Sequence, residues 1–195
     1  MRKIKTLFLK DQNDLSLVTT TVDPDNSWVL QYGNAYRKLD GAACAYFNGV
    51  IYVRYDAKLF KGTLQYKKPI PKGAFPCQQP DPITGHHPHW VPADSNNPSH
   101  KYFFEGFINT MKNKPIAHGT YELVGPKVNK NPEGYDEHAV VNHNETFIYD
   151  FNKIEITYES LRKYLEPLNI EGIVFKHKLT GQMCKIRKSD FGLQR

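Results

Sequence analysis

The sequence predicts an α+β fold built on antiparallel sheets, and three observations predict it. Short runs rich in β-branched and aromatic residues recur along the chain, as at AACAYF (42–47) and VIYVRY (50–55). Between those two stands Asn48-Gly49, the favoured two-residue turn of a β-hairpin. By contrast, TYESLRKYLEPL (157–168) follows the helix template.

In chain order, SWVLQY (27–32) reads as the first strand, followed by the hairpin of 42–47 and 50–55. Prolines crowd the stretch from Pro69 to Pro98, and each biases its predecessor away from helix, so a long loop inserted within one domain is expected there. KYFFEGFINTMK and GTYELVG resume strand or mixed character, and AVVNHNETFIYDF offers two short strand candidates. The helix over 157–168 has Thr157 as N-cap, with Leu161, Tyr164, Leu165 and Leu168 at helical spacing. The closing GIVFKHKLTGQMCKIRK reads as a hairpin turning at Leu179-Thr180-Gly181.

A chain of 195 residues suits a single domain, 1–195, with a substantial core. Twelve Tyr and eleven Phe exclude a disordered chain. The net charge of +6 favours anionic partners such as nucleic acid or nucleotides. Cys44, Cys77 and Cys184 are odd in number and widely spaced, which predicts no disulfide framework and a reducing, cytoplasmic setting. The apolar run LFL near the start is too short for a signal peptide or a membrane span, so no membrane partner is expected.

Chemistry is concentrated in a few places. In YRKLDGAAC, Lys38 becomes a nucleophile only if desolvation or a neighbouring cation lowers its pKa. Asp40 lies two residues on and suits a metal or a ribose, and Gly41 leaves room for a ligand. Read alone, K-x-D-G is an ordinary turn with a solvated lysine. Arg54 stands on the second hairpin strand, and Glu122 and Glu171 interrupt apolar strands, where a carboxylate is costly unless it serves a metal or a hydrogen-bond network. Lys185 and Arg187 share a face of the last strand. Two carboxylates with several cations suit a nucleoside triphosphate and its magnesium.

The order KLDG, VRYD, YELVG, IEGIVF, CKIRK resembles motifs I, Ia, III, IV and V of the covalent nucleotidyltransferase superfamily of ATP-dependent ligases and capping guanylyltransferases. Within it the chain is similar to the small RNA ligase family of vertebrates and some viruses and microbes, through HWVPADSNN, YELVGPKVNKNPEG and EGIVFKHKLTGQMCKIRKSDFGL. The likeness extends over most of residues 36–193. It implies a nucleotidyltransferase (adenylation) domain with an ATP-grasp-like ligase core, and a monomeric enzyme using ATP and Mg2+, or Mn2+, to join RNA 5′-phosphate and 3′-hydroxyl ends. Lys38 then matches the nucleophile that carries AMP, with Asp40 and Gly41 completing its motif. Arg54 matches a contact to ribose or RNA phosphate, Glu122 the acid at the ribose, and Glu171 the acid that helps hold magnesium. Lys185 and Arg187 match the cations that neutralise the α-phosphate. The metal set so implied is Asp40, Glu122 and Glu171.

Arg37 stands where related RNA ligases often carry an acid. Tyr149 matches the aromatic that stacks on adenine in the wider pattern. The shorter spacing after Glu122 favours the AVV strand instead, with Val140 or Val141 as an aliphatic contact. The chain ends ten residues after Lys185, so no C-terminal OB-fold is expected. Cys77, His86, His87, His89 and His100 match no zinc spacing, and with Trp90 and Tyr102 they suit RNA stacking or a plain polar loop. His138 and His143 read as structural hydrogen-bonding residues. Lys58, Lys61, Lys67, Lys68 and Lys72 form a basic stretch that is ordinarily a solvated face and, in an RNA ligase, a track for RNA. The alternatives are a capping-type guanylyltransferase, a DNA ligase-like enzyme, and a catalytically idle RNA-binding module.

Overall fold

A computed structural model describes residues 4–195. The elements are β1 (Lys5–Thr6), β2 (Phe8–Lys10), β3 (Val18–Val22), α1 (Val29–Tyr32), β4 (Gly33–Lys38), β5 (Ala42–Phe47), β6 (Val50–Lys58) and β7 (Phe75–Pro76). They continue with β8 (His86–Pro92), α2 (Lys101–Met111), β9 (Gly119–Val124), β10 (Ala139–Asn142), α3 (Tyr158–Leu165), β11 (Gly172–His177) and β12 (Met183–Arg187). The architecture is α+β, with mostly antiparallel sheets and few helices. Two compact units are distinct: a central one, Gly41–His143, and a terminal one of Ile4–Asp40 with Asn144–Arg195.

The terminal unit holds a sheet ordered β1-β12-β11-β4 and a β2-β3 pair. The hairpin β11-β12 forms as its turn residues predict, β4 joins β11 antiparallel, and β1 joins β12 in parallel. Alternation sends Ala35, Ile173, Phe175, Cys184 and Ile186 into a core shared with Leu7, Phe8 and the α3 residues Leu161 and Leu165. The opposite face carries Lys38, Lys185 and Arg187. Helix α3 starts as expected, the Thr157 hydroxyl accepting the Ser160 N–H at 3.3 Å.

The strand expected over 27–32 is instead the helical turn α1. Asp23-Pro24 opens a three-ten turn, the Asp23 side chain accepting the Asp25 N–H at 3.0 Å, and this local cap outweighs the β-propensity of Trp28 and Val29. Lys38 therefore closes strand β4. In AVVNHNETFIYDF only β10 forms; Phe147 makes a single bridge to Tyr36, and Tyr149–Lys153 coils into a three-ten turn.

The central unit is a six-stranded antiparallel sheet, β10-β9-β5-β6-β8-β7. Asn48 and Gly49 both take positive φ (51° and 82°), as the hairpin turn requires. Its core joins Cys44, Tyr121, Leu123 and Val140 to Phe107. Phe107 belongs to α2, so Lys101–Met111 is helical where strand or mixed character was expected. Asn97 caps the Ser99 N–H at 3.0 Å and Pro98 opens the first turn, a start signal that the aromatic run obscured.

The stretch 69–98 is not all loop. Strand β8 runs along β6 with Arg54 opposite Trp90, and its prolines are tolerated because beyond two-residue β7 its outer side is an edge. No helix among the described residues is long and apolar enough to cross a membrane.

Candidate active site

In the terminal unit, strand register does the assembling. Gly172 pairs with Lys38 on one side and Arg187 on the other, while Val174 pairs with Tyr36 and Lys185. One face of three strands thus presents Lys38, Lys185 and Arg187 together, with Glu171 at the entry to β11. A Cβ on Gly172 would run into the Ile186 carbonyl oxygen and lie 2.7 Å from the Arg187 Cα, so glycine lets β12 pack this closely.

Lys38 Nζ is ion-paired with Glu171 Oε2 and also donates to the Leu39 carbonyl at 3.4 Å. The two side chains are 22% and 23% exposed, so the pair is screened by water only in part. Burial raises the Glu171 carboxyl above the usual range, with the Lys38 charge acting against it. Lys185 is lowered to about 8, first by burial and then by the positive charges of Arg187 and Lys38.

Arg187 is held by Asp190, through Nη2–Oδ1 at 2.8 Å and Nε–Oδ2 at 3.3 Å, and its backbone N–H reaches Oδ2 at 2.9 Å. Lys10 Nζ also donates to Asp190, at 2.8 Å. Burial alone would raise the Asp190 carboxyl, but hydrogen bonds from Arg187 and Lys10 outweigh it and hold the carboxyl below its usual value. Asp190 was missed in the sequence, although an acid three residues after Arg187 was a signal within reach. Nothing local to Lys10 marks it.

Asp40 pairs with Arg195 at 3.4 Å. Tyr149, expected to stack on adenine, is 83% exposed, with its ring edge-on to Phe147 at 4.9 Å between centroids. Phe147 in turn meets Tyr36 at 5.4 Å. Tyr36 is thus the aromatic on the Lys38 face, two residues before the lysine. It was hidden because β4 was not expected.

The central unit carries the other expected residues. Glu122 is 9% exposed, and its Oε2 lies 2.9 Å from His143 Nε2, while His143 Nδ1 lies 3.0 Å from the Thr120 hydroxyl. A carboxylate only accepts, so Nε2 carries a proton, and a neutral imidazole then accepts from Thr120. A Cβ on Gly41 would meet the Leu123 carbonyl oxygen and lie 2.7 Å from Glu122 Cγ, which accounts for the glycine. Arg54 Nε donates to Asp56 at 2.8 Å. Alternation puts Arg54 and Glu122 on the face opposite Cys44 and Tyr121. Val140 points into the core at 2% exposure and is not available for adenine, whereas Val141 pairs with Glu122 and shares its face.

His138 has a structural role, as expected: it bonds Glu105 at 3.0 Å and the Lys127 N–H at 3.2 Å, and stacks on Tyr102. His87 and His89 are buried, and His87 bonds the Tyr66 hydroxyl at 2.6 Å. Among the described residues no three His, Cys, Asp or Glu side chains gather to hold a metal, so Asp40, Glu122 and Glu171 are not a preformed cage. Asp40 and Glu122 are each engaged instead, by Arg195 and His143.

A scan against protein-family models and a search of characterised proteins return no match for this chain.

Proposed function

We propose that the protein is an ATP-dependent RNA ligase that joins 5′-phosphate and 3′-hydroxyl RNA ends through AMP carried on Lys38. The observation that carries the reading is the Lys38–Glu171 ion pair, on a sheet whose same face presents Lys185 and Arg187. The order of the five motifs supports the same reading.

A lysine attacks phosphorus only as the free amine. Glu171 touches the Lys38 ammonium, and burial makes its carboxylate more basic than usual, so it is suited to take the proton. Lys38 Nζ then bonds to the α-phosphorus of ATP as the bond to the bridging oxygen breaks; pyrophosphate leaves, and the nitrogen gives up its second proton to solvent to become the phosphoramidate N–H. Lys185 and Arg187 offset the charge that gathers on the phosphoryl oxygens, which is the main demand of phosphoryl transfer. In the second step an oxygen of the RNA 5′-phosphate attacks the α-phosphorus and displaces Lys38, whose nitrogen regains its two protons from solvent. In the third the 3′-hydroxyl oxygen attacks that 5′-phosphate, its proton passes to solvent, and AMP leaves. Asp40 and Gly41 complete the nucleophile's segment. The resemblance gives Glu122 a ribose hydroxyl and Arg54 a ribose or RNA phosphate.

Magnesium fits as an ion carried by the triphosphate, because Mg2+ is ordinarily held by one or two carboxylates plus substrate phosphates. Glu171 would hold it in its ionised state, once the Lys38 proton has passed on to solvent, and the ion would supply positive charge against the phosphates.

The test is incubation with labelled ATP or GTP and magnesium, followed by a search for an acid-labile covalent adduct. An adduct with ATP that Lys38→Ala abolishes is expected. No adduct, or one that survives Lys38→Ala, would sink the mechanism, and an adduct with GTP in place of ATP would make the enzyme a guanylyltransferase.

A further inference from the structure

We infer that a groove in the central unit, between the turn at Phe60–Gln65 and the turn at Asp81–Gly85, docks single-stranded RNA. The inference rests on the ligase reading and deepens it by giving the RNA strand a place to bind. The groove encloses about 640 Å3, and its walls include Lys58, Lys61, Lys67, Phe60, Leu64 and Ile83.

The groove is built into the fold. The Leu59 N–H donates to the Gly85 carbonyl at 2.9 Å and pins one turn to the other, while Leu59 bridges Tyr66 across the first turn. Gly62 and Gly85 take the positive φ (73° and 70°) that such tight turns need. Beneath them, Tyr66 is tied to buried His87.

Its chemistry selects the partner. Among the described residues, no carboxylate lies within ion-pair distance of Lys58, Lys61 or Lys67, and Lys67 lies over the Phe60 ring at 5.6 Å. The one acid in the lining, Asp81, accepts the backbone N–H groups of Ile83 and Thr84 in its own turn, at 3.0 and 2.8 Å. Beside these cations stand apolar side chains that water ordinarily disfavours: Leu64 is 88% exposed, Ile83 86% and Phe60 46%. A partner that satisfies both features carries regular negative charge and flat apolar faces. A single nucleic-acid strand offers phosphates and unstacked bases, whereas a duplex hides the base faces and an acidic peptide lacks them.

The test measures binding of a labelled single-stranded oligouridylate to the full chain across a salt series, with a polyglutamate peptide as competitor. Lys61→Glu with Lys67→Glu should weaken binding at least tenfold and lower the slope of log affinity against log salt by about 1.4, at about 0.7 per phosphate contact. Phe60→Ala should weaken it by roughly tenfold through lost stacking, with little change in slope. Lys163→Glu, on the exposed side of α3, should change neither. Parent-like binding by the first two variants, or equal competition by the peptide, would overturn the assignment. All these variants should keep the ATP adduct. RNA binding by a parent that forms no adduct would defeat the ligase reading and leave the groove standing.

Discussion

The terminal and central units solve the problem of charge in different ways. In the terminal unit the cations around the candidate site are partly buried and answered by carboxylates: Lys38 by Glu171, and Arg187 and Lys10 by Asp190. In the central unit the carboxylate Glu122 is the buried group, answered by an imidazole, while the lysines of the groove stay exposed. The first arrangement suits chemistry, because charges held in a region of low dielectric shift one another's pKa values and act strongly on a nearby phosphate. The second suits binding, because exposed lysines attract a polyanion at little cost to the fold.

The largest expected effect tests whether the two cores are separate. Phe175→Ala in the terminal core and Phe107→Ala in the central core should each cost about 3–5 kcal/mol, since both rings are fully buried. Hydrogen exchange should report the loss of protection mainly in the unit that carries the mutation, and equal loss in both units would erase the distinction.

A smaller effect compares the two glycines. Gly172→Ala and Gly41→Ala should each cost about 1–3 kcal/mol by denaturant titration, because the added methyl meets a backbone carbonyl that cannot step aside. Gly172→Ala should also lose the ATP adduct by displacing Arg187, and full adduct formation in a stably folded Gly172→Ala would refute the role of strand register.

The smallest effect concerns Lys185, whose pKa is about 8 in the fold against its ordinary 10.5. Between those values the unfolded chain binds the extra proton, so this group makes stability rise with pH from about 8 to 10.5, and below pH 8 its charged form is a burden. Lys185→Met should remove that rise and stabilise the fold at pH 7 by about 1 kcal/mol, measured by denaturant titration at several pH values. If Lys185 acts through its charge as proposed, adduct formation should fall above pH 8 in the parent and persist to higher pH in Lys185→Arg. The same alkaline limb in both proteins would assign it to another group.

Legibility followed the range of the forces involved. The Asn48-Gly49 hairpin, the Thr157 cap of α3 and the β11-β12 hairpin were readable because each is decided by neighbours in sequence. Strand β4 was not, since its partner β11 lies more than 130 residues away and Tyr36–Lys38 carry no strong local signal. Helix α2 was misread because its aromatic run mimics a strand, and its burial on β9 and β10 decides the matter. Of the candidate residues, Lys38, Glu171, Lys185 and Arg187 fall together in the terminal unit, while Tyr149 lies exposed and Val140 lies in the core.

The sequence by itself determined the composition of the chemistry: a lysine beside Asp-Gly, one acid within an apolar strand and one just before another, and paired cations two residues apart, each fixed by local spacing and alternation. Only the tertiary structure decided which of these touch. Pairing across β4, β11 and β12 joins Lys38 to Glu171 and fixes Arg187 on Asp190, because strand register is a long-range choice that burial of Ile173, Phe175 and Ile186 on the opposite face enforces.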